Sequence, residues 1–357
     1  MTTSIFSLMD AAIEQGASDI HVSVGRKPAL RIHGSLREIE SEAVLDAEAT
    51  ERLVREFTPE KHLAELLDVG TTDFGYAHAD RARFRVSALR QKGSLGLVMR
   101  LIPNKLMTFE EIGLPEDVLD LLTRPRGMIL VTGPTGSGKT TTLATMLNWI
   151  NENRDVHMVT IEDPIEFYHP HKQAQVTQRE VGEDVESFAE AMRRVLRQDP
   201  DVILLGEMRD LETTSAAITA AETGHLVFGT LHTTGSARTV DRIIDQYPTN
   251  QQAQIRSQLA VSIVAVISQV LLPRADKVGR VAAFEVMHMN SAIENHIRKG
   301  ETFKIPSAIQ TNKRQGMVLL DDYLRELVAD GKITPKVAID ASQAPLEMEQ
   351  RLLGGDA

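Results

Sequence analysis

From Asp19 to Ile102 apolar and polar positions mostly alternate in short runs, the pattern of strands with one covered face. These runs span Asp19–Val24, Pro28–His33, Thr71–His78, Arg81–Leu89 and Ser94–Ile102, while Ala47–Glu56 and Pro59–Leu67 carry apolar residues at helical spacing. Together they predict a small α+β domain over residues 1–102. After Pro103 the period changes, and residues 103–115 read as a linker to a second domain over 116–357. From Gly127 apolar strands alternate with helices: Met128–Thr132, Thr140–Ile150, Val156–Glu162, Phe188–Arg197, Val202–Leu205, Leu211–Glu222 and Leu226–Leu231. Such alternation predicts an α/β fold with a wound, mostly parallel sheet, because parallel neighbours need a crossover between them. Beyond Asn250 the pattern predicts a helical cap, interrupted only at Arg280–Met287 and ending in a frayed Gly-Gly tail.

Composition narrows this picture. A chain of 357 residues with 42% hydrophobic content can bury a core in each of two domains. It contains no cysteine, which excludes disulfides and thiolate zinc sites. A net charge of −11, with ten phenylalanines, four tyrosines and one tryptophan, argues against a surface that neutralises phosphates and stacks bases. No nucleic-acid partner is expected. Met1–Asp10 has no basic leader character, and the longest apolar run, Leu259–Leu272, is broken by Ser262, Ser268 and Gln269. A soluble cytoplasmic chain is therefore expected.

One motif brings chemistry. Gly133-Pro134-Thr135-Gly136-Ser137-Gly138-Lys139-Thr140 fits G-x-x-x-x-G-K-[ST] at every fixed position, after an apolar strand and before a helix-forming stretch. The glycines let backbone N–H groups curl inward, forming an anion nest at a helix N-terminus. In such a loop Lys139 reaches the β- and γ-phosphates and the Thr140 hydroxyl ligates Mg²⁺, so ATP and Mg²⁺ are the expected ligands. Thr141 completes the nucleotide-binding set.

Such a site needs one acid for Mg²⁺ and another to orient the attacking water. Val202–Leu205 leads to Glu207 at the carboxyl edge of the sheet, where ligands of these folds sit. The preceding strand leads to Glu162, Asp163 and Glu166, with Pro164 turning the chain. His225 and His232 bracket the run Leu226–Leu231, a spacing that does not suit zinc. His232, at the carboxyl end, either senses the γ-phosphate or is a hydrogen-bonded core histidine, and it is favoured over His225. In Arg81–Leu89 alternation places Arg81, Arg83 and Arg85 opposite Ala82, Phe84 and Val86. That stripe is either a solvated strand face or a source of guanidinium groups for a neighbouring subunit's γ-phosphate. Arg193, Arg194, Arg197 and Arg209 are the other candidates.

These motifs resemble those of the secretion ATPases, and within them the type IV pilus retraction ATPases, the PilT family. The likeness is carried by Gly16–His21, Arg83-Phe-Arg-Val86 and the Walker A run at 133–140. It is carried also by Ile161–Phe167, similar to the family's Asp box, Leu205–Thr213, similar to its atypical Walker B, and Gly224–Thr233, similar to its His box. The resemblance implies a PAS-like N-terminal domain joined to a RecA-like ATPase core. It implies a homo-hexameric ring at the cytoplasmic face of the inner membrane, acting on a pilus platform protein. Carried over by motif, Glu166 is the catalytic carboxylate, Glu207 serves Mg²⁺ and water, and Arg83 and Arg85 reach the nucleotide from the N-terminal domain. Extension and type II secretion ATPases typically add an N-terminal region and a tetracysteine insertion; the sequence shows neither, which favours the retraction branch. Two positions depart from the family: Glu294 in Ala292-Ile-Glu294-Asn295 replaces an arginine, and Ser87 stands where asparagine is usual. The expected function is an ATP-hydrolysing motor for pilus retraction and twitching motility. The alternatives are a paralogue acting as a nucleotide-gated scaffold at the pilus base, and a nucleic-acid translocase on the same core.

Overall fold

Residues 3–32, 34–79, 81–102 and 106–353 are described by a computed structural model. They divide into two units, Met1–Lys105 with Pro164–Tyr168, and Leu106–Asp163 with His169–Ala357. The first unit runs through α1 (Ile5–Glu14), β1 (Asp19–Val22), β2 (Ala29–Ile32), β3 (Ser35–Glu38), α2 (Ala47–Phe57), α3 (Glu60–Val69), β4 (Thr71–His78), β5 (Ala82–Gln91) and β6 (Ser94–Ile102). Among the described residues its strands make one antiparallel sheet in the order β3-β2-β1-β6-β5-β4. Phe84, Val86 and Ala88 of β5 share a core with Leu97 and Met99 of β6, Leu53 and Phe57 of α2, and Leu8 and Met9 of α1. Asp46 starts α2 by accepting a bond from Ala49 N–H at 2.7 Å.

Two elements of this unit escape the sequence patterns. All four residues of β3 are exposed, so it has no period-two signature. In α1, Ile5, Leu8, Met9 and Ala12 are buried at helical spacing, but the helix has no side-chain cap to mark its start.

The second unit opens with α4 (Phe109–Ile112), α5 (Leu119–Leu122), β7 (Gly127–Thr132), α6 (Lys139–Asn153), β8 (His157–Glu162), β9 (Gln175–Glu180) and α7 (Phe188–Val195). It continues through β10 (Val202–Leu205), α8 (Leu211–Glu222), β11 (Leu226–Leu231), α9 (Ser236–Ile244), α10 (Gln252–Ser262), β12 (Ile263–Pro273) and β13 (Arg280–His288). It ends in α11 (Ser291–Lys299), α12 (Ile305–Thr311), α13 (Leu320–Ala329), α14 (Pro335–Ala341) and α15 (Pro345–Leu353). Among the described residues the strands form one sheet, β13-β12-β7-β11-β10-β8-β9, parallel except for the β12–β13 pair.

Alternation along its strands fills two cores. Met128, Leu130, Val159, Ile161, Ile203 and Leu205 face one, with Met192 of α7, Ile218 of α8, Ile243 of α9 and Leu259 of α10. Ile129, Val131, Met158, Val202, Leu204 and Phe228 face the other, with Leu143, Met146 and Ile150 of α6. Each such side chain contributes about 1.5–3 kcal/mol on burial. Because β7, β8, β10 and β11 are parallel, their carboxyl ends share one edge, and the loops that leave it carry the site.

The chain beyond Asn250 corrects the expected helical cap. Helix α10 stops at Ser262, and Ile263–Pro273 is an 11-residue strand between β7 and β13. Its β-branched Ile263, Val264, Val266 and Ile267 favour extended backbone, and cover on both faces removes the alternation that marks a half-buried strand. Strand β9 is likewise unanticipated. Of the expected linker, residues 103–105 lie outside the described residues, and Thr108 with Glu111 forms a capping box on α4. The Gly-Gly tail also lies outside them. Among the described residues no helix is long and apolar enough to cross a membrane.

Candidate active site

The phosphate loop leaves β7 at Gly133 and enters α6 at Lys139. Gly133, Gly136 and Gly138 have φ of 144°, 77° and 90°, a region that side chains with a Cβ rarely adopt. A Cβ on Gly133 would also overlap the Gln269 carbonyl oxygen. Lys139 Nζ donates to the carbonyls of Gly133 at 2.9 Å and Pro134 at 3.2 Å, which holds the ammonium against the loop's own backbone. Thr140 and Thr141 follow in the first turn of α6, half-buried.

The loops after the neighbouring strands are tied to this edge. Gly206 N–H donates to Ile161 O at 2.8 Å, and Met208 N–H to Thr230 O at 3.0 Å, so the exit of β10 is stitched to β8 and to β11. Thr230 Oγ1 adds a bond to Gly206 O at 2.5 Å. Glu207 sits between these ties with its side chain 19% exposed, and its Oε1 lies 3.0 Å from His232 Nε2. The other ring nitrogen, His232 Nδ1, lies 3.4 Å from Thr135 Oγ1 of the phosphate loop. A neutral ring with its proton on Nε2 donates to Glu207 and accepts from Thr135. One imidazole thus touches the loop that follows β7 and the acid that follows β10.

The remaining candidates separate by what they contact. Glu162 is buried and accepts from Thr160 Oγ1 at 2.6 Å and Gln178 Nε2 at 3.2 Å, bonds that hold the end of β8. Asp163 is exposed. His225 Nδ1 lies 2.9 Å from Ala220 O, a tie to α8. Arg209 Nε pairs with Glu207 Oε1 at 2.5 Å, and that carboxylate raises the guanidinium above its ordinary pKa. Arg194 Nε donates to Glu190 at 2.6 Å, and Arg193 pairs with Glu190 and Glu212.

Arg83, Arg85 and Glu166 belong to the first unit, where the expected stripe of three arginines is corrected. Arg81 lies in the turn before β5 and pairs with Asp10. Arg83 is 5% exposed, and its guanidinium carbon stands 4.6 Å from the centroid of the Tyr168 ring. A Cβ on Gly75 would overlap its Nη2, so the glycine leaves room for the arginine to cross β4. Arg85, two residues on, is exposed.

Three polar residues that the motifs did not mark also hold the site. Gln269 Nε2 donates to Ser137 O at 2.7 Å, Ser268 Oγ accepts Gly235 N–H at 2.8 Å, and Glu285 Oε1 accepts Ser236 N–H at 2.7 Å. The available signal was the polar pair Ser268-Gln269 inside an apolar run, since a buried polar residue needs a partner.

Comparison with known proteins meets this geometry. A family model described as Type II/IV secretion system protein matches residues 2–334. The chain is 46% identical over 341 residues to the type IV pilus retractation ATPase PilT of Pseudomonas aeruginosa, covering 96% of this chain and 98% of that protein. It is 44% identical over 335 residues to a twitching motility protein of Neisseria gonorrhoeae, covering 94% and 89%. A crystal structure of the pilus retraction motor PilT with bound ADP matches with a TM-score of 0.92 at 44% identity, covering 98% of this chain and 99% of that one. The chain belongs to the type IV pilus retraction ATPase family.

As a member of this family the chain is a nucleotide-binding, ATP-hydrolysing P-loop enzyme, with a RecA-like core and a smaller PAS-like α+β domain. Of its two departures from the family motifs, Glu294 lies in the first turn of α11, where a negative charge suits the helix N-terminus. It pairs with Arg298 one turn later. Ser87 is half-buried on β5, and nothing in the structure explains the replacement.

Proposed function

We propose that the protein is a homo-hexameric motor that hydrolyses ATP to power type IV pilus retraction and twitching motility. The observation that carries this reading is the His232 imidazole between Thr135 of the phosphate loop and Glu207, in a chain so similar in sequence and fold to retraction ATPases. The positive-φ glycines and Lys139 bind the phosphates, and His232 reports the γ-phosphate to Glu207. Glu166 takes a proton from the attacking water, and Arg85 of a neighbouring subunit, exposed on β5 and joined by Arg83 once it leaves Tyr168, neutralises the charge that develops on the transferred group. The oxygens of Thr140 and Glu207 are the hard donors that suit Mg²⁺, which when bound supplies charge neutralisation at the β- and γ-phosphates. Residues 1–102 act as the PAS-like domain, 103–115 as the linker and 116–357 as the ATPase domain, and hydrolysis swings one domain against the other. The ring works at the cytoplasmic face of the inner membrane against a pilus platform protein.

The test is ATPase rate against protein concentration, with light scattering on the same samples. Turnover is expected to rise as rings form; a monomer at full rate rejects arginines supplied by a neighbour. Deletion in the host is expected to raise the number of surface pili, and fewer pili reject retraction. Glu294 favours a second reading, a paralogue acting as a nucleotide-gated scaffold. That reading predicts no turnover above the background of Glu166→Ala.

A further inference from the structure

Adjacent residues of β12 hold the loops that β7 and β11 send to the nucleotide edge. Gln269, 1% exposed, donates from Nε2 to the Ser137 carbonyl at 2.7 Å. Its backbone carbonyl packs against Gly133, and its Nε2 lies 3.2 Å from where a Cβ of Gly138 would stand. One residue therefore braces the phosphate loop at its first glycine, at Ser137 and beside its last glycine. Ser268, whose side chain leaves the strand on the opposite face, bonds Gly235 N–H in the loop after His232.

The rest of the amide environment shows what Gln269 is kept for. Among the described residues Gln269 Oε1 and Ser137 Oγ are buried without a hydrogen bond. A buried unsatisfied acceptor is costly, and an aliphatic side chain of the same volume fills such a space without that cost. Packing alone does not account for a glutamine here, whereas its single donated bond to the phosphate loop does.

We propose that Gln269 is a positioning residue for ATP: its amide fixes the curl from Gly133 to Gly138, so that the backbone N–H groups and Lys139 meet the phosphates already arranged. Such preorganisation lowers the ordering cost of binding. The inference rests on the reading of Gly133–Thr141 as the nucleotide site.

The test uses the full chain and measures KM for ATP, with Kd for a fluorescent ADP analogue, in Gln269→Met, Gln269→Leu, Ser262→Ala and Lys139→Ala. Both Gln269 variants are aliphatic side chains of similar volume with no donor, and each is expected to raise KM and Kd roughly tenfold, the effect of one buried acceptor left bare. KM does not depend on the fraction of chains that fold, so a merely structural lesion lowers kcat and leaves KM alone. Ser262→Ala, equally buried but bonded within α10 to Gln258 O at 2.6 Å, is expected to hold KM within about twofold. Parental KM and Kd in both Gln269 variants overturn the proposal, as does an equal rise in Ser262→Ala. If Lys139→Ala binds and hydrolyses like the parent, the nucleotide-site reading fails and this inference with it; an inert Lys139→Ala beside unchanged Gln269 variants removes the inference alone.

Discussion

The carboxyl edge of the parallel sheet and the outer face of β5 both offered charged candidates, and the structure treats them differently. At the sheet edge, topology does the gathering: β7, β10 and β11 run the same way, so Thr135, Glu207 and His232 arrive together although far apart in sequence. On β5 the period-two rule placed Arg83 and Arg85 on one face, yet Arg83 is buried against Tyr168 and Arg85 is exposed. A wound sheet fixes where its loop residues meet, whereas a strand face leaves each side chain to its local neighbours.

That contrast can be broken first by stability. Phe228, fully buried beneath the nucleotide edge, is expected to lose about 3–5 kcal/mol on change to Ala, with ADP binding lost at the same denaturant concentration. Phe84→Ala, equally buried in the first unit, is expected to cost a similar ~3–5 kcal/mol while leaving ADP binding by the second unit intact. Coincident loss of binding in both variants, followed by chemical denaturation, contradicts an ADP-binding site carried by the second unit.

Next in size is Glu207→Gln. It keeps the shape beside His232 but removes the charge, and kcat is expected to fall about 10²-fold with ADP affinity retained. Steady-state phosphate release with the same ADP titration checks this, and a parental kcat places the essential acid elsewhere.

Smallest is an effect of pH on the core unit. Burial, with the Lys172 ammonium adding to it, holds the His169 imidazole down to about 4 from 6.5. A depressed histidine stays neutral when folded and takes up a proton when unfolded, so its contribution is present above pH 6.5 and is lost as pH falls toward 4. Between pH 7 and pH 5 the unfolding free energy is expected to drop by about 2 kcal/mol more in the parent than in His169→Gln. Equal pH slopes in urea titrations contradict the assignment.

Much of this was legible in the sequence for identifiable reasons. The Walker A run is local, and β4, β6, β10, α8 and β11 lie where the pattern put them. Strand β12 was not legible, because cover on both faces gives Ile263–Ile267 the same unbroken apolar look as a buried helix. Arg83 deceived because alternation says which face a residue leaves from, not whether a glycine across the ladder gives it room to be buried. Gln269 braces a loop 132 residues away, and no local period encodes a contact of that range.

Phosphate release from ATP with Mg²⁺, compared between the parent chain and Lys139→Ala at equal concentration, tests the central claim most directly. The parent is expected to turn over, and the variant to fall by at least about 10²-fold as the ammonium leaves the phosphate loop. A Lys139→Ala protein that releases phosphate at the parental rate contradicts the assignment of that loop as the site of ATP hydrolysis.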